Sequence, residues 1–380
     1  MYQFLSNSNV RIGNGELKKF CKSLDNNKYN NILFIIDDGF YKTVYWKKCL
    51  KELKKNKIKV NFIKIKLKFE PTYIDLEKYR NLSSSFKPDY IIACGGGSCM
   101  DLAKSISVLL KNKGSAIRYR GFDKITKKGI KLTLVPTTCG TGSEASYNAS
   151  LIDTEGMKKM GINGENMFAY SSILDGETIS ELPYKPALSS IIDTFTHIME
   201  GYVCKNSNLI TDLICEQAFK IMIENFDQIK FIKKRPSVAL KFLICAHLGG
   251  IIQMNSGSGI AAALSYPLSV YFNVPHGIGG GIFLLGVMKF NIKNGYKKYD
   301  NLIKYVNKKN KIKNSKKLII YLEVIFKKIG VPSNLNNWGI RSEDLSKLKS
   351  IMSTQQIAFD QNPISFKLKK DLDKFLKKYI

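Results

Sequence analysis

The chain has 380 residues, of which 44% are hydrophobic and 24% are charged, so it can bury a large core in two domains. This composition excludes a disordered or fibrous protein. The net charge of +29 comes from 60 basic residues, of which only six are arginine, and basic and aromatic residues do not alternate as in a base-stacking surface. We expect a solvated, lysine-rich surface and no nucleic-acid partner.

No uninterrupted apolar run reaches the roughly 18 residues of a membrane span, and the first residues lack the charged and apolar regions of a signal peptide. The eight cysteines are scattered and form no CxxC pair, which predicts free thiols rather than a zinc knuckle or a disulfide framework. These features predict a cytoplasmic protein without a membrane partner.

Short apolar runs alternate with amphipathic stretches in the first half of the chain, as in βαβ units with a parallel sheet. The predicted strands are residues 32–36, 60–66, 89–94 and 131–135. Helical patterns dominate from Pro186 onward. The predicted helices there are residues 188–204, 210–226, 237–254 and 318–329.

The pattern therefore predicts a Rossmann-like α/β nucleotide-binding domain over residues 1–183 and an all-helical domain over residues 184–380. An active site is expected in the cleft between two such domains. Residues 304–317 are rich in lysine and are expected to form a charged surface connection.

A glycine turn, Gly95, Gly96, Gly97 and Ser98, follows the predicted strand 89–94 and precedes a helical pattern. Glycines allow a phosphate to approach the backbone, and the free N–H groups and dipole of a helix start favour an anion. A tight strand-to-helix turn explains the same residues equally well, and the run is not the GxGxxG fingerprint.

Two further features support a dinucleotide site. Asp37 ends the predicted strand 32–36, where a carboxylate can bind ribose hydroxyls and repel the 2′-phosphate of NADP, although it can also simply cap the next turn. Residues 136–144, PTTCGTGSE, alternate hydroxyls with glycines and can wrap phosphate and nicotinamide. Together these features favour NAD(H) as the cofactor.

A third group of polar residues lies in the helical half. Asp193 and His197 are four residues apart, so both project from one helix face and can hold a divalent ion, although a salt-bridged pair has the same spacing. His276 lies far along the chain, and Gly279, Gly280 and Gly281 are expected to form a loop that brings it to the same point.

These blocks resemble the iron-containing, metal-dependent alcohol dehydrogenases, whose motifs read GGGSxxDxAK, PTTxGTGSE, DAxxHAxE and PHG. The sequence carries them in family order as GGGSCMDLAK, PTTCGTGSE, DTFTHIME and PHG. The resemblance implies a dehydroquinate synthase-like architecture, a homodimer, and hydride transfer between NAD(H) and a small alcohol or aldehyde with a metal as Lewis acid.

The resemblance also implies roles for particular residues. Asp37 recognises the ribose, and Asp193, His197 and His276 hold Fe²⁺ or Zn²⁺. The other residues expected at the cofactor are Gly95, Gly96, Gly97, Ser98, Asp101, Thr137, Thr138, Thr141, Ser143 and, in the loop of residues 158–162, Lys159.

One departure from the family pattern concerns the metal. The family segment GLxHAxAHPL is GIAAALSYPL here, so Ala262 stands where a ligand histidine is expected, and no other histidine obviously replaces it. Three protein ligands can hold a catalytic ion, but with reduced affinity. Tyr266, four residues after Ala262, is either a proton donor in the same cavity or a structural aromatic.

The substrate is suggested by three segments, residues 114–128, 158–162 and 265–268, which look like those of the 3-deoxy-D-manno-octulosonate 8-oxidases of lipopolysaccharide assembly. That subgroup retains the histidine that Ala262 replaces. A sugar acid is therefore one expected substrate, and a small anionic aldehyde such as phosphonoacetaldehyde is another because a lysine-rich rim attracts anions. Two rival interpretations are a dehydroquinate synthase-like lyase and a pseudoenzyme that has lost its metal.

Overall fold

The computed structural model describes residues 3–6, 9–25, 28–55, 59–156, 158–306 and 312–380. Of the predicted connection 304–317, residues 307–311 lie outside this range. The chain divides into two compact units. The α/β unit comprises Leu5–Pro183 and Phe231–Ile251, and the helical unit comprises Met1–Phe4, Tyr184–Lys230 and Ile252–Ile380.

The strands of the described chain all lie in the α/β unit. They are β1 (Val10–Ile12), β2 (Ile32–Asp37), β3 (Val60–Ile65), β4 (Tyr90–Gly95), β5 (Gly121–Phe122), β6 (Lys131–Pro136), β7 (Asn148–Ala149), β8 (Ile152–Asp153), β9 (Lys158–Lys159), β10 (Ile162–Asn163) and β11 (Ser171–Leu174). Its helices before the helical unit are α1 (Glu16–Ser23), α2 (Asp38–Tyr41), α3 (Val44–Lys55), α4 (Tyr73–Ser85) and α5 (Gly97–Leu109).

The remaining α-helices follow Pro183. They are α6 (Tyr184–Val203), α7 (Leu209–Asn225), α8 (Pro236–Ser256), α9 (Ile260–Phe272), α10 (His276–Lys293), α11 (Ser315–Ile329), α12 (Leu345–Met352), α13 (Gln356–Asp360) and α14 (Leu368–Leu376). Short 3₁₀ helices lie at Ala116–Tyr119, Ser143–Ala145, Glu165–Met167, Gly176–Ile179, Phe226–Lys234, Lys298–Tyr305, Asn336–Trp338, Ser342–Asp344 and Ser353–Gln355.

The central sheet has six strands in the order β1-β11-β6-β4-β2-β3, and every neighbouring pair is parallel. The four predicted strands correspond to β2, β3, β4 and β6. The other two strands, β1 at the edge and β11 beside it, have only three and four residues, so neither shows a recognisable period in the sequence. The predicted Rossmann-like domain followed by helices is confirmed.

The middle strands are buried on both faces, which explains their continuous apolar sequences. In β2, Leu33 and Ile35 belong to one core cluster, whereas Ile32, Phe34 and Ile36 belong to a second cluster. Successive side chains alternate between the faces of a strand, so the two clusters lie on opposite sides of the sheet.

Residues 231–251, which the sequence placed in the helical domain, group with the α/β unit. A close backbone contact explains this. A Cβ atom at Gly142 would lie 2.3 Å from the Ala246 carbonyl oxygen, and one at Gly250 would lie 2.3 Å from the Gly142 carbonyl oxygen. Only glycines allow α8 to pack this closely on the loop that follows β6.

Within the described chain, α8 is also the one helix that is long and apolar enough to cross a membrane. In the structure 61% of its apolar window is buried inside the protein, as in a core helix. Length and composition alone are therefore weak evidence for a membrane span.

Candidate active site

Three predicted cofactor segments meet at the carboxyl ends of neighbouring strands of the central sheet. Strands β2, β4 and β6 are neighbours, and Gly95 at the end of β4 pairs with Pro136 at the end of β6. Asp37 ends β2 at the same edge because the three strands are parallel. Ligands of open α/β sheets bind outside the carboxyl ends of such strands.

The glycine turn is required by close contacts rather than by positive φ angles. A Cβ atom at Gly95 would lie 2.4 Å from the Cys99 Cβ, one at Gly96 would lie 3.1 Å from the Thr138 Cγ2, and one at Gly97 would lie 2.6 Å from the Thr141 Cγ2. The two threonines thus pack directly on the turn.

Helix α5 begins at Gly97, and its N-cap residue Gly96 provides no side-chain hydrogen bond. Its first backbone N–H groups, including that of the half-buried Ser98, therefore have no capping side chain. Such N–H groups can bind a phosphate. The backbone N–H of Thr137 donates to the Gly95 carbonyl at 3.0 Å, which joins the next loop to the turn.

The carboxylate of Asp101 organises the loop after β6, and its expected place on the pyrophosphate side stays a prediction. It accepts a hydrogen bond from the Ser143 hydroxyl at 2.6 Å and another from the Ser150 backbone N–H at 2.9 Å. The Ser143 hydroxyl is thereby committed to Asp101. Both residues are buried, so the structure gives them a positioning role beside the turn.

Lys104 is a residue that sequence reasoning missed, although it lies in the block GGGSCMDLAK. Its ammonium group is buried, lies 3.2 Å from Asp101, and donates to the Ser143 carbonyl at 2.9 Å and to the Asn148 carbonyl. Burial lowers the pKa of Lys104, and the Asp101 charge opposes that shift. Lys104 therefore ties α5 to the loop that carries the threonines.

Two other predicted cofactor residues are engaged by the protein itself. The Asp37 Oδ1 accepts from the Phe40 backbone N–H at 3.1 Å, so Asp37 caps α2 at the sheet edge, and ribose binding by its carboxylate stays a prediction. The Lys159 ammonium lies 2.7 Å from the Glu70 carboxylate, which offsets its charge. Attraction of an anion by Lys159 is correspondingly weakened.

The predicted metal ligands come together in the helical unit. Donor atoms of Asp193, His197 and His276 all lie within 4.8 Å of one another. The Asp193 Oδ1 lies 3.5 Å from the His197 Nε2 and 3.8 Å from the His276 Nε2. Donors that share a tetrahedral ion at about 2.1 Å lie about 3.4 Å apart, so the spacing suits one divalent ion.

His276 reaches this cluster by helix packing, and the expected glycine loop is wrong. His276 is the first residue of α10, and the three glycines 279–281 lie inside that helix. A Cβ atom at Gly277 would lie 2.0 Å from the Ser189 carbonyl oxygen, and one at Gly281 would lie 2.3 Å from the Ile192 Cγ2. The missing side chains let α10 pack tightly on α6, which carries Asp193.

The orientation of His276 is set by Ser265 on α9. The Ser265 Oγ donates to the Ala262 carbonyl at 2.7 Å and lies 2.8 Å from the His276 Nδ1. Since the serine proton is used on the carbonyl, the Oγ accepts from Nδ1–H, which leaves the lone pair of Nε2 facing Asp193. The Tyr266 ring stacks on the imidazole with centroids 4.9 Å apart.

His197 is not held as a core histidine usually is. Its Nδ1 is buried without a hydrogen-bond partner in the described chain, and its Nε2 lies 3.5 Å from Asp193, too far for a strong hydrogen bond. Two imidazoles and one carboxylate are a donor set that Zn²⁺ and Fe²⁺ both accept. The residues present therefore fit a divalent metal ion.

Ala262, at the position of the missing histidine, is buried in the first turn of α9. Glu200, three residues after His197, accepts from the backbone N–H groups of Gly259 at 3.0 Å and Ala261 at 2.6 Å. Burial raises the pKa of Glu200 to about 7, against the lowering effect of these hydrogen bonds. Sequence reasoning assigned no role to Glu200, although it ends the block DTFTHIME.

The third histidine of the chain does not replace the missing ligand. His247 lies on α8 within the α/β unit, where its Nδ1 is 3.2 Å from the Glu144 Oε1 and both side chains are buried. It joins α8 to the loop after β6. The eight cysteines are all buried free thiols, as predicted.

Family models match almost the whole chain. Residues 7–176 match the model for iron-containing alcohol dehydrogenase, and residues 187–379 match the C-terminal model of the Fe-containing alcohol dehydrogenase family. The chain belongs to the iron-containing alcohol dehydrogenase family. It is an NAD(H)-linked oxidoreductase of alcohols and aldehydes that uses a divalent metal, as the resemblance implied.

Individual relatives agree with this assignment. The dehydrogenase is 30% identical to sulfoacetaldehyde reductase of Bilophila wadsworthia over 266 residues, which are 70% of the chain and 68% of the relative. It is 36% identical to 4-hydroxybutyrate dehydrogenase of Clostridium kluyveri over 222 residues, 57% of the chain and 58% of the relative.

A solved structure shows the same fold at lower identity. Sulfoacetaldehyde reductase from Bifidobacterium kashiwanohense, in complex with NAD+, superposes with a TM-score of 0.86 at 18% identity, covering 100% of this chain and 98% of that one.

Proposed function

We propose that the enzyme interconverts a primary alcohol and its aldehyde, and that the substrate carries an anionic group at its far end. The observation that carries the proposal is the cluster of Asp193, His197 and His276, whose donors converge within 4.8 Å. Two relatives support the anionic group, because sulfoacetaldehyde is a sulfonate and 4-hydroxybutyrate is a carboxylate.

Each unit supplies its own part of the machinery. The N–H groups at the start of α5 hold the pyrophosphate of the dinucleotide, and Asp37 binds its ribose. Asp193, His197 and His276 hold the divalent ion. When bound, the nicotinamide exchanges the hydride and the ion supplies Lewis acidity to the reacting oxygen.

The residues around His276 keep the metal cluster in order. Ser265 fixes the tautomer of the imidazole, and the Tyr266 ring restrains its rotation by stacking. Since Tyr266 packs face to face on a proposed ligand, we assign it a positioning role, and a role of its hydroxyl as a proton donor stays a prediction. Three protein ligands leave coordination positions of the ion for a substrate oxygen.

A sugar acid such as 3-deoxy-D-manno-octulosonate is the second candidate substrate. Two of the segments that resemble the 8-oxidases are joined in one small sheet, where β5 and β10 are parallel neighbours. The Gly121 backbone N–H donates to the Gly161 carbonyl at 2.9 Å. The two segments therefore form one local structure, which supports their joint resemblance to the 8-oxidases.

A substrate panel tests the proposal. NADH formation or consumption is followed with sulfoacetaldehyde, phosphonoacetaldehyde, 4-hydroxybutyrate, 3-deoxy-D-manno-octulosonate and uncharged alcohols of matched length, each with added Zn²⁺ or Fe²⁺. We expect kcat/KM for an anionic compound to exceed that of its uncharged analogue at least tenfold. Equal values refute the anionic substrate. Turnover without net change in NADH indicates a lyase, and metal-free, inactive protein indicates a pseudoenzyme.

We further propose that the enzyme is a cytoplasmic homodimer. The family resemblance supports the dimer, and the eight buried free thiols suit a reducing compartment. Sedimentation equilibrium of the purified protein is expected to give twice the chain mass of 43.0 kDa, and a mass of one chain contradicts the dimer.

A further inference from the structure

A cavity lies in the helical unit, beside the C-terminal two thirds of α10. Its volume is about 980 Å³, near the upper end of the range for small-molecule sites. The lining comes from α10 between Gly281 and Asn294, from the end of α11 with the following turn, and from residues 366–379, which include α14.

The rim of this cavity is strongly cationic. Five lysines line it against two acidic residues, Glu323 and Asp371. The Glu323 carboxylate pairs with Lys289, and the Asp371 carboxylate accepts from the Lys367 backbone N–H at 2.8 Å. Glu323 and Lys289 therefore offset each other, whereas Asp371 keeps its negative charge, so the lining carries a net positive charge.

Four lysines remain, and within the described chain no ion pair involves them. They are Lys293, Lys327, Lys374 and Lys378. Some other lysines of the same unit do form ion pairs, as in the pairs Lys298 with Asp212 and Lys304 with Glu216. Four cationic side chains that line one cavity repel one another, and an anion bound in that cavity offsets the repulsion.

The floor of the cavity is aromatic. The Phe290 and Phe366 ring centroids are 5.1 Å apart, those of Phe366 and Phe375 are 5.8 Å apart, and those of Phe375 and Tyr379 are 5.3 Å apart. Phe290 and Tyr379 are only partly buried, so they present ring surface to the cavity. A flat ligand ring can stack there.

The cavity is separate from the metal cluster although α10 contributes to both. None of the three proposed metal ligands lines the cavity, and Lys289 and Lys293 follow His276 by about 3.6 and 4.7 helical turns, or about 20 and 25 Å along the helix axis. These cations therefore do not face an anion bound at the metal cluster.

We propose that this cavity binds a nucleoside triphosphate, with the phosphates between the four unpaired lysines and the base against the Phe290 ring. Four ammonium groups exceed what one carboxylate needs, which argues against a fatty acid. The aromatic floor adds a stacking surface that inorganic polyphosphate does not use. Nothing in the hydride-transfer reaction requires this site.

Calorimetric titration of the full-length enzyme with ATP tests the proposal, in the presence of saturating NAD+ so that the dinucleotide site is already filled. We expect one ATP per chain. The double variant K293E/K374E should weaken ATP binding at least tenfold. The control K47E/K220E makes the same change in net charge at exposed lysines outside the cavity and should change binding less than twofold.

Two further probes separate the parts of the ligand. Phe290→Leu should weaken ATP binding about fivefold and leave binding of inorganic triphosphate within twofold. Palmitate should not compete with ATP. The proposal is overturned by absence of ATP binding under saturating NAD+, by equal losses in the two charge-reversed variants, or by palmitate binding that depends on Lys293 and Lys374. All variants change exposed or half-buried side chains, and circular dichroism verifies their folding.

Discussion

The glycine turn and the metal cluster lie in different units and are stabilised in different ways. Around the turn, Asp101, Lys104 and Ser143 satisfy one another through buried hydrogen bonds. In the metal cluster, Asp193 lies 3.5 Å from the His197 Nε2 and 3.8 Å from the His276 Nε2, so no short hydrogen bond joins the three side chains. The first region is complete without its ligand, whereas the second is not.

This difference shows where each region obtains its stability. The turn is fixed by sterics and by hydrogen bonds within the protein, so it is formed before the dinucleotide arrives. The metal cluster brings a carboxylate and two imidazoles together with little compensation, so binding of an ion contributes directly to its stability. Loss of the ion should therefore disturb the helical unit and leave the α/β unit unchanged.

The largest effect is expected for His276→Ala, which removes one of three metal ligands. We expect loss of stoichiometric metal and a fall in kcat of about 10³-fold, because Lewis acidity contributes several kcal/mol to such reactions. Elemental analysis and alcohol-dependent NADH formation measure the two effects. The dissociation constant of NADH should stay within twofold, since the glycine turn is in the other unit.

Ser265→Ala provides the graded control for this prediction. It removes the hydroxyl that lies 2.8 Å from the His276 Nδ1 and donates to the Ala262 carbonyl within α9, and should weaken metal affinity 10- to 100-fold while retaining binding. Stoichiometric metal in His276→Ala would show that the three residues do not form the site.

The extent to which the sequence predicts the structure also differs between the α/β unit and the metal cluster. Strands β2, β3, β4 and β6 were predictable because their apolar runs are continuous, and the glycine turn was predictable because close backbone contacts admit no side chain. Strands β1 and β11 were too short to show a period. The position of residues 231–251 depends on the contact of Gly142 with Gly250, far apart in the chain, which no local pattern reveals.

The three ligands of the metal cluster were predicted from their spacing and from family resemblance. The residues that surround and orient them were not predicted. The glycines after His276 read as a loop, since helix propensity disfavours glycine, yet packing against α6 overrides that preference. Ser265 and Glu200 act through contacts between helices. Glu200 is the last residue of the block DTFTHIME, but its position there does not reveal that it accepts from backbone N–H groups at the start of α9.

The next largest effect is the pH dependence of the folding stability that Glu200 causes. Its pKa is raised to about 7 by burial, from about 4.5 in the unfolded chain, so the folded protein binds the proton more tightly. This contribution to stability is complete below about pH 4.5 and is lost as pH rises toward 7, by about 3 kcal/mol or roughly 10²-fold in the folding equilibrium. The metal-free protein should show it most strongly, since a bound cation lowers the pKa.

Urea unfolding of metal-free wild type and Glu200→Gln between pH 4.5 and 8 measures this contribution. The free energy of unfolding of wild type relative to the variant should decrease by the stated amount across that range. A difference that does not change with pH would mean that Glu200 is ionised in the folded protein throughout that range, which contradicts the raised pKa.

A smaller effect, confined to the α/β unit, is expected for Gly97→Ala. The new methyl group would lie 2.6 Å from the Thr141 Cγ2, so the start of α5 must shift. Loss of one charge-assisted hydrogen bond to the pyrophosphate, about 2 kcal/mol, should weaken NADH binding about 30-fold. Gly13→Ala is the matched control, because its methyl group meets only the flexible Glu16 side chain at 3.2 Å.

Fluorescence titration measures the NADH affinity of the two glycine variants. Elemental analysis of their metal content shows whether the helical unit is affected. Gly97→Ala should retain its metal. Equal NADH affinity in both variants would show that the phosphate does not lie at this turn, and loss of metal in Gly97→Ala would contradict the independence of the two regions.

The smallest effect is expected for Ala262→His, which restores the ligand found in the family. Ala262 precedes Ser265 by three residues and Tyr266 by four on α9, so it shares the helix face that contacts His276. A fourth ligand should slow loss of the ion to a chelator about tenfold. Ala262→Gln adds similar bulk without an imidazole and should not slow it. If both variants release the ion as fast as wild type, the incompleteness of the metal cluster does not arise from Ala262.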